Sequence, residues 1–217
     1  MTKKTIGAAI FIFAVSAIFA RYSNCETIYF ILKPLTTLLV ISVAALAYKK
    51  NAGAYSRLVL TALIFSLVGD VFLLKEEYFV FGLSSFLVAH LFFTYAFTRV
   101  NGFSTHFLSF IVLGIFGLLY FRYLKPGLGR FVLPVAVYSA AIILMAWQAV
   151  GLYLNDNKKI FLSVAIGALL FTFSDSMIAV NKFKAPFESA GILILASYWA
   201  AISIFAFSCH YIGETKN

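Results

Sequence analysis

Apolar stretches separated by short polar breaks run along the chain. Most of the stretches approach the roughly 17 to 25 residues that an α-helix needs to cross the hydrocarbon core of a bilayer. The breaks between them, such as Lys75-Glu76-Glu77, are only a few residues long. The pattern predicts eight membrane-spanning helices, at about 5–20, 28–48, 57–74, 78–98, 105–121, 131–154, 160–181 and 190–211.

The fold class follows from this pattern. Period-two alternation bounded by hairpin turns, which marks a membrane β-barrel, is absent from the sequence. Lipid offers no partners to backbone N–H and C=O groups, so the spans are expected to be helical. The first span follows Lys3 and Lys4 as a signal peptide would, but no clean small-residue cleavage site follows, and we expect a retained helix. We predict an all-α polytopic transmembrane helical bundle, a single integral membrane domain over residues 1–217.

Composition agrees with a membrane protein. Hydrophobic residues make up 63% of the chain and charged residues 12%, and the mean hydropathy is +0.97. These values lie far outside the range of ordinary soluble domains. The net charge of +9 comes from residues at the ends of loops, where they contact lipid phosphates. Membrane lipids are therefore the expected partners, nucleic acid is not, and no obligate protein partner is evident.

The basic residues predict the orientation of the chain. Nine of them share the side of the N-terminus and seven share the other side. The nine are Lys3, Lys4, Lys49, Lys50, Arg57, Arg99, Lys158, Lys159 and Lys216, and the seven are Arg21, Lys75, Arg122, Lys125, Arg130, Lys182 and Lys184. The excess weakly favours a cytoplasmic N-terminus. The compact loops favour a bacterial inner membrane over an endoplasmic reticulum.

Two acidic residues, Asp70 and Asp175, lie inside apolar spans. The other six lie in the breaks, and they are Glu26, Glu76, Glu77, Asp156, Glu188 and Glu214. A carboxylate in hydrocarbon costs several kcal/mol unless it is protonated, paired or hydrated. The two buried aspartates are therefore candidates for function.

Both aspartates are expected at similar depth near one membrane surface. Each lies about five to seven residues before the point where its helix is expected to leave the membrane, or roughly 8–10 Å at 1.5 Å per residue. Lys33 begins the second span at the same surface, and Lys182 follows Asp175 by two helical turns on the same face, with Asn181 beside it. This arrangement suits a substrate with a phosphate headgroup and a reactive bond just beneath it.

Each of these residues also has a purely structural interpretation. Intramembrane aspartates often hold helices together, and Lys33 and Lys182 are long enough to reach the lipid headgroups. His90, near the middle of the fourth span, is suited to a proton relay, a metal ligand or a hydrogen bond between helices. The residues alone leave these alternatives open.

No metal site and no cofactor are predicted. The other two histidines, His106 and His210, are not at helical spacing from His90, so a three-histidine zinc site would have to converge from loop and core. Cys25 and Cys209 are too few for a disulfide framework and lack metal-site spacing.

A weak internal repeat surrounds the two aspartates. The segments 62–70 and 168–175 match after a one-residue gap, about half a chain apart. Two four-helix halves in parallel orientation would place Asp70 and Asp175 around a pseudo-twofold axis normal to the membrane.

These residues also resemble a known family, the YhhN-like lysoplasmalogenases. The similarity covers nearly the whole chain and rests on the order and spacing of short motifs: Lys33-Pro34-Leu35, Gly69-Asp70, Gly82 with Ala89-His90, and Ser174-Asp175 with Ala179 and Asn181-Lys182-Phe183. The resemblance implies hydrolysis of the vinyl ether bond of lysoplasmalogens to a fatty aldehyde and glycerophosphoethanolamine or glycerophosphocholine. It also implies that Asp70 and Asp175 carry the chemistry.

The implied chemistry suits two carboxyl groups. Protonation of the terminal alkenyl carbon gives an oxocarbenium ion that water captures as a hemiacetal, which collapses to the aldehyde. One neutral carboxyl would donate the proton and one carboxylate would stabilise the cation, as in glycoside hydrolysis. The sequence does not say which is the acid, although Lys182 on the same helix favours Asp175 as the ionised partner. Lys33, His90, Asn181 and Lys182 are the predicted substrate-binding residues.

Two other classes of function compete with a hydrolase. In a proton-coupled transporter the carboxylates would load and release protons, which requires a path across the membrane. In a non-catalytic lipid-binding protein they would serve helix packing. Aldehyde release by the purified protein discriminates a hydrolase from both, and proton-dependent flux in sealed vesicles would indicate the transporter.

Overall fold

Eight long α-helices, joined by short connections, make up almost all of the structure. The computed structural model describes residues 3–50 and 52–212. The helices are α1 (Lys3–Tyr22), α2 (Glu26–Lys50), α3 (Ala54–Phe72), α4 (Phe79–Asn101), α5 (Phe107–Leu128), α6 (Val132–Asn155), α7 (Lys159–Phe183) and α8 (Ala190–Ile212). Single 3₁₀ turns over Glu76–Tyr78 and Gly129–Phe131 precede α4 and α6, and the described residues contain no β-strand.

The helices confirm the prediction of a polytopic helical bundle. Seven helical segments are long and apolar enough to cross a membrane, when α5, the following turn and α6 are counted as one segment of 49 residues. Seven of the eight predicted spans match a helix to within a few residues at each end. The fifth was predicted to end at residue 121, whereas α5 continues to Leu128. The helix passes through Arg122 and Lys125 because these side chains lie at its surface end, where charge does not interrupt a helix.

The packing of the helices divides them into two corresponding halves. Helices α3 and α4 pack closely as a hairpin, and so do α7 and α8. Helix α2 packs on α3 of its own half and on α8 of the other half, and α6 packs in the same way on α7 and on α4. This is the arrangement expected for the two four-helix halves that the internal repeat predicts.

The α3–α4 contact is close because Gly69 lacks a side chain. A Cβ at this position would lie 2.6 Å from Cε2 of Phe86 on α4. The ring of Phe86 therefore lies directly against the α3 backbone beside Asp70. The glycine before the aspartate brings the aromatic side chains of α4 next to the carboxylate.

Helix α5 lies at the edge of the bundle. Its buried side chains are Ser109, Leu124 and Leu128, and the two leucines form a small second core with Val135 of α6. Most other positions of α5 are half-buried or exposed, as expected of a helix that faces lipid on most sides. An apolar cavity lies between α5 and helices α4, α6 and α7.

The start of α5 is held by a polar side chain of α6. Gln148 is buried, its Oε1 accepts a hydrogen bond from the backbone N–H of Ser104 (2.8 Å), and its Nε2 donates to the Ser104 carbonyl (3.2 Å). These two bonds satisfy backbone groups of the α4–α5 connection that water does not reach. They anchor the peripheral helix at the end far from Leu128.

The other end of α5 is fixed by a close backbone approach, and we expect Gly127→Ala to destabilise the protein. A Cβ at Gly127 would lie 1.8 Å from the carbonyl oxygen of Phe183 on α7, and no rotamer change relieves a clash with backbone. Overpacking of this kind costs about 1–3 kcal/mol. Gly114→Ala on the same helix is the matched control, because a Cβ there meets nothing within 4 Å. Thermal unfolding in detergent should show a lower Tm for Gly127→Ala only, and equal Tm values would contradict the contact.

Candidate active site

Asp70 lies in the last turns of α3 and is almost completely buried, with 1% of its surface exposed. Its Oδ2 accepts hydrogen bonds from the hydroxyl groups of Thr37 on α2 (2.6 Å) and Tyr198 on α8 (2.7 Å). The Nζ of Lys33, one turn before Thr37 on α2, lies 3.5 Å from Oδ1. Three helices thus converge on one carboxylate.

The donors around Asp70 suit an ionised carboxylate. Nε1 of Trp199 donates a hydrogen bond to Oγ1 of Thr37 (3.3 Å), which leaves the Thr37 proton free to point at Asp70. A carboxylate with two hydroxyl donors and one adjacent ammonium group is stabilised in its charged form. Lys33 is itself buried, with 5% of its surface exposed, so the two groups form a buried ion pair.

Asp175 on α7 occupies the corresponding position of the second half with different neighbours. Its Oδ2 accepts a hydrogen bond from the hydroxyl of Tyr138 on α6, and Nε2 of His90 on α4 lies 3.4 Å from the same oxygen. Among the ion pairs of the described residues, this carboxylate has no lysine or arginine partner. A largely buried carboxyl whose neighbours are a phenol and an imidazole, without a lysine or arginine beside it, is suited to its neutral form.

His90 is fully buried, and within the described ranges neither ring nitrogen has a hydrogen-bond partner. Its ring packs edge-on against Tyr138 (centroids 5.1 Å apart) and Phe171 (4.8 Å). An imidazole that is desolvated without hydrogen bonds is costly. Nε2 of His90 lies 3.4 Å from Oδ2 of Asp175, so the imidazole faces that carboxyl.

Aromatic rings connect the surroundings of the two carboxylates. Phe171 contacts both His90 and Tyr198, with centroids 4.8 and 5.4 Å apart. Phe86 contacts both Phe171 (6.1 Å) and Tyr198 (5.7 Å). The partners of Asp70 and the partners of Asp175 are therefore joined by one cluster of aromatic rings, while each carboxyl keeps its own hydrogen-bond partners.

A polar vestibule lies where the ends of α1, α3 and α7 meet the starts of α2 and α8. Its internal volume is about 930 Å³. The charged and amide side chains that line it are Arg21, Lys33, Glu76, Asn181, Lys182 and Glu188. Cations and carboxylates are thus both available to a ligand in the vestibule.

An apolar pocket adjoins the vestibule and reaches deeper between α4, α5, α6 and α7. It is narrow, with an internal volume of about 60 Å³, and its walls are almost entirely apolar and aromatic. The two cavities share Leu73, Phe79 and Ile178 in their walls. Asp175 and Tyr138 line the apolar pocket, whereas Asp70 lines neither cavity.

The structure places the predicted site residues in three different settings. His90 lies beside Asp175. Lys33 pairs with Asp70 and also lines the vestibule. Its side chain is buried, so it does not extend to the lipid headgroups. Lys182 pairs with Glu76 and lies over the Phe79 ring at 5.3 Å, and it is not a partner of Asp175.

Asn181 also lines the vestibule. Its Oδ1 accepts a hydrogen bond from the Phe187 N–H (3.2 Å), so it holds the α7–α8 connection.

Sequence reasoning missed several hydroxyl and indole groups of the site. Tyr138 and Tyr198 are ordinary in a chain with 12 tyrosines, and only helix rotation decides which of them face a carboxylate. Thr37 carried a usable signal, because it follows Lys33 by four residues and so lies on the same helical face. Trp199 carried none.

The described residues contain no group of three or more His, Cys, Asp or Glu side chains arranged to hold a metal ion. The expectation of a reaction without a metal stays a prediction.

Fold and site together define a multi-pass helical membrane protein with two buried carboxyl groups, one of which faces an apolar cavity. The chain belongs to the YhhN family, whose profile matches residues 28–209. It is 38% identical over 157 residues to the protein named lysoplasmalogenase TMEM86A from Bos taurus, covering 69% of this chain and 64% of that protein. It is 36% identical over 155 residues to human lysoplasmalogenase TMEM86B, covering 69% and 62%. No solved structure matches.

A bacterial relative is more distant in sequence and closer in length. The uncharacterized membrane protein YhhN of Escherichia coli is 27% identical over 171 residues, covering 78% of this chain and 81% of that protein. The chain spans less than two thirds of the length of the two mammalian lysoplasmalogenases described above.

The buried ion pair predicts unequal effects of two lysine substitutions. Lys33→Met leaves the Asp70 carboxylate buried without its cation, and breaking such a pair typically costs about 3–5 kcal/mol. Lys182→Met removes a partner of Glu76, whose side chain is 84% exposed, and surface pairs contribute little. Thermal unfolding should therefore show a large loss of stability for Lys33→Met alone, partly recovered in Lys33→Met/Asp70→Asn. Equal losses for the two lysine variants would show that the Lys33–Asp70 pair does not matter.

Proposed function

We propose that this protein is a lysoplasmalogenase, which hydrolyses the vinyl ether bond of lysoplasmalogens. The products are a fatty aldehyde and glycerophosphoethanolamine or glycerophosphocholine. The observation that carries the proposal is the Asp175 carboxyl in the wall of an apolar pocket that adjoins a charged vestibule. The names of the mammalian relatives support the same reaction.

The two cavities match the two ends of a lysolipid. The vestibule offers Lys33 and Lys182 to the phosphate, and the apolar pocket offers an aliphatic wall to the alkenyl chain. In a lysoplasmalogen the vinyl ether lies between these two parts. A lipid bound across the shared wall at Leu73 and Ile178 would bring that bond to Asp175.

Asp175 is the proton donor in this proposal. Protonated Asp175 transfers its proton to the vinyl carbon β to the ether oxygen, where the electron pair of the C=C bond forms the new C–H bond. An oxocarbenium ion then forms beside the carboxylate that results. The carboxylate stabilises the cation and then takes a proton from the water that attacks it. The hemiacetal collapses as the bond to the glycerol oxygen breaks. Its hydroxyl proton passes to that oxygen, and the aldehyde leaves. One water is consumed, and Asp175 regains its proton.

Tyr138 and His90 hold Asp175 through this cycle. The Tyr138 hydroxyl donates to the carboxylate form. Nε2 of His90 lies 3.4 Å from Oδ2 of Asp175, and in the tautomer with its proton on Nδ1 it would be the acceptor for the proton of the neutral carboxyl when the two groups close. We therefore assign His90 to Asp175 rather than to the substrate.

Asp70 has a positioning role in this proposal. The sequence favoured Asp175 as the ionised partner on account of Lys182, but Lys182 pairs with Glu76 and the cation beside a carboxylate is Lys33. Asp70 lines neither cavity, so it acts by holding the Lys33 ammonium group at the vestibule. Its loss should weaken phosphate binding more than it slows the chemical step.

We also propose a bacterial inner membrane with a cytoplasmic N-terminus as the setting. The excess of basic residues on the N-terminal side supports this orientation. In this orientation α3 and α7 end at the opposite face, and the vestibule opens to the outer leaflet.

Purified protein should release aldehyde from lysoplasmenylethanolamine or lysoplasmenylcholine, with or without a chelator. Asp175→Asn removes the proton donor, and we expect kcat to fall by about 10²-fold or more. Asp70→Asn should mainly raise KM, because it removes binding that is equal in the ground and transition states. Asp156→Asn is the control, since Asp156 pairs with Lys158 in an exposed loop at 2.7 Å.

The outcomes separate the alternatives. Folded wild-type protein that releases no aldehyde from either lipid would overturn the hydrolase, and proton-dependent flux in vesicles would then indicate a transporter. Turnover by Asp175→Asn near that of the wild type would overturn the mechanism. Loss of activity with a chelator would show that a metal takes part.

A further inference from the structure

The apolar pocket extends past Asp175 to a contact between α5 and α6 that no step of the reaction uses. Its deeper part is lined by Phe116 and Gly117 of α5 and by Ile142 and Ile143 of α6. Gly117 lies one helical turn deeper than Tyr120, whose hydroxyl donates to the Ser176 carbonyl beside Asp175. The deeper part thus begins at the reacting carboxyl and leads away from the vestibule.

Gly117 keeps this part of the pocket open. A Cβ at residue 117 would lie 2.9 Å from Cγ1 and 3.3 Å from Cδ1 of Ile143. Both residues line the pocket, so a side chain at 117 would occupy the space or push the end of Ile143 into it. No other large group needs to move, because the atoms that clash belong to a flexible side chain.

One side of the pocket lies between helices α4 and α5. Helices α4 and α5 both contribute to its wall through Leu83 and Phe116, yet they form no packed interface with each other in the part of the chain that the structure describes. Phe116 is 49% exposed on the outer surface of α5. We therefore expect an aliphatic chain to enter the pocket from the bilayer between α4 and α5, without crossing the charged vestibule.

We propose that the alkenyl chain of the substrate passes over Gly117, and that Gly117 and Ile143 determine whether a long chain is accepted. This inference rests on the proposed function and adds a specificity determinant to it. The occupant is an aliphatic chain, because the deeper walls are apolar and continuous with the position where the vinyl ether meets Asp175. A chain that ends before residue 117 does not meet the pair, and a longer chain does.

The test compares long-chain and short-chain lysoplasmalogens on Gly117→Val. The valine should lower kcat/KM for the long-chain substrate about tenfold or more relative to the short-chain substrate. Gly114→Val is the matched control on the same helix, because a Cβ at residue 114 meets nothing within 4 Å. It should leave the ratio of the two kcat/KM values unchanged.

A second variant separates chain selection from damage to the fold. Ile143→Ala removes the group that the valine meets, so Gly117→Val/Ile143→Ala should recover much of the long-chain activity. An equal loss for both chain lengths in Gly117→Val, or no change of the ratio, would overturn the proposal while wild-type aldehyde release still supports the hydrolase. Absence of release by folded wild type would instead overturn the proposed function itself.

Discussion

The cost of burying a carboxylate in hydrocarbon is the constraint on which the rest of this structure depends. Asp70 is buried among apolar helices, and only direct partners make its charge tolerable. Those partners, Lys33, Thr37 and Tyr198, come from α2 and α8. The rotation and depth of α2, α3 and α8 are therefore coupled to one carboxylate. A shift of any of these helices would leave a charge without its partner.

The second carboxylate shows how a repeated arrangement acquires a different chemistry. Asp70 and Asp175 both lie on the third helix of their half, and each meets the second helix of its own half and the fourth helix of the other. The partners differ, since Asp70 has an ammonium group where Asp175 has a phenol and an imidazole. One position is suited to a permanent negative charge, and the other is suited to a proton that comes and goes.

The sequence predicted the helices because they depend on one-dimensional information, the length of apolar runs. It did not predict which cation meets which carboxylate. Lys182 shares a helical face with Asp175, yet it pairs with Glu76 at the surface. Lys33 of α2 pairs instead with Asp70 of the neighbouring helix α3. Such pairings depend on helix rotation and on competing partners, and apolar periodicity is weak information about rotation when lipid surrounds the bundle.

Polarity within a span is not by itself a sign of function. Gln148 is about as deeply buried as Asp70, and its side-chain hydrogen bonds hold the Ser104 backbone. The hydroxyl of Tyr55 on α3 pairs with that of Ser208 on α8 at 2.8 Å, far from either cavity. What distinguishes Asp175 is that its side chain is mostly buried, lacks a lysine or arginine partner among the described residues, and still borders a cavity. A proton held there can reach a substrate, whereas a proton on Asp70 would have to cross its own hydrogen-bond partners.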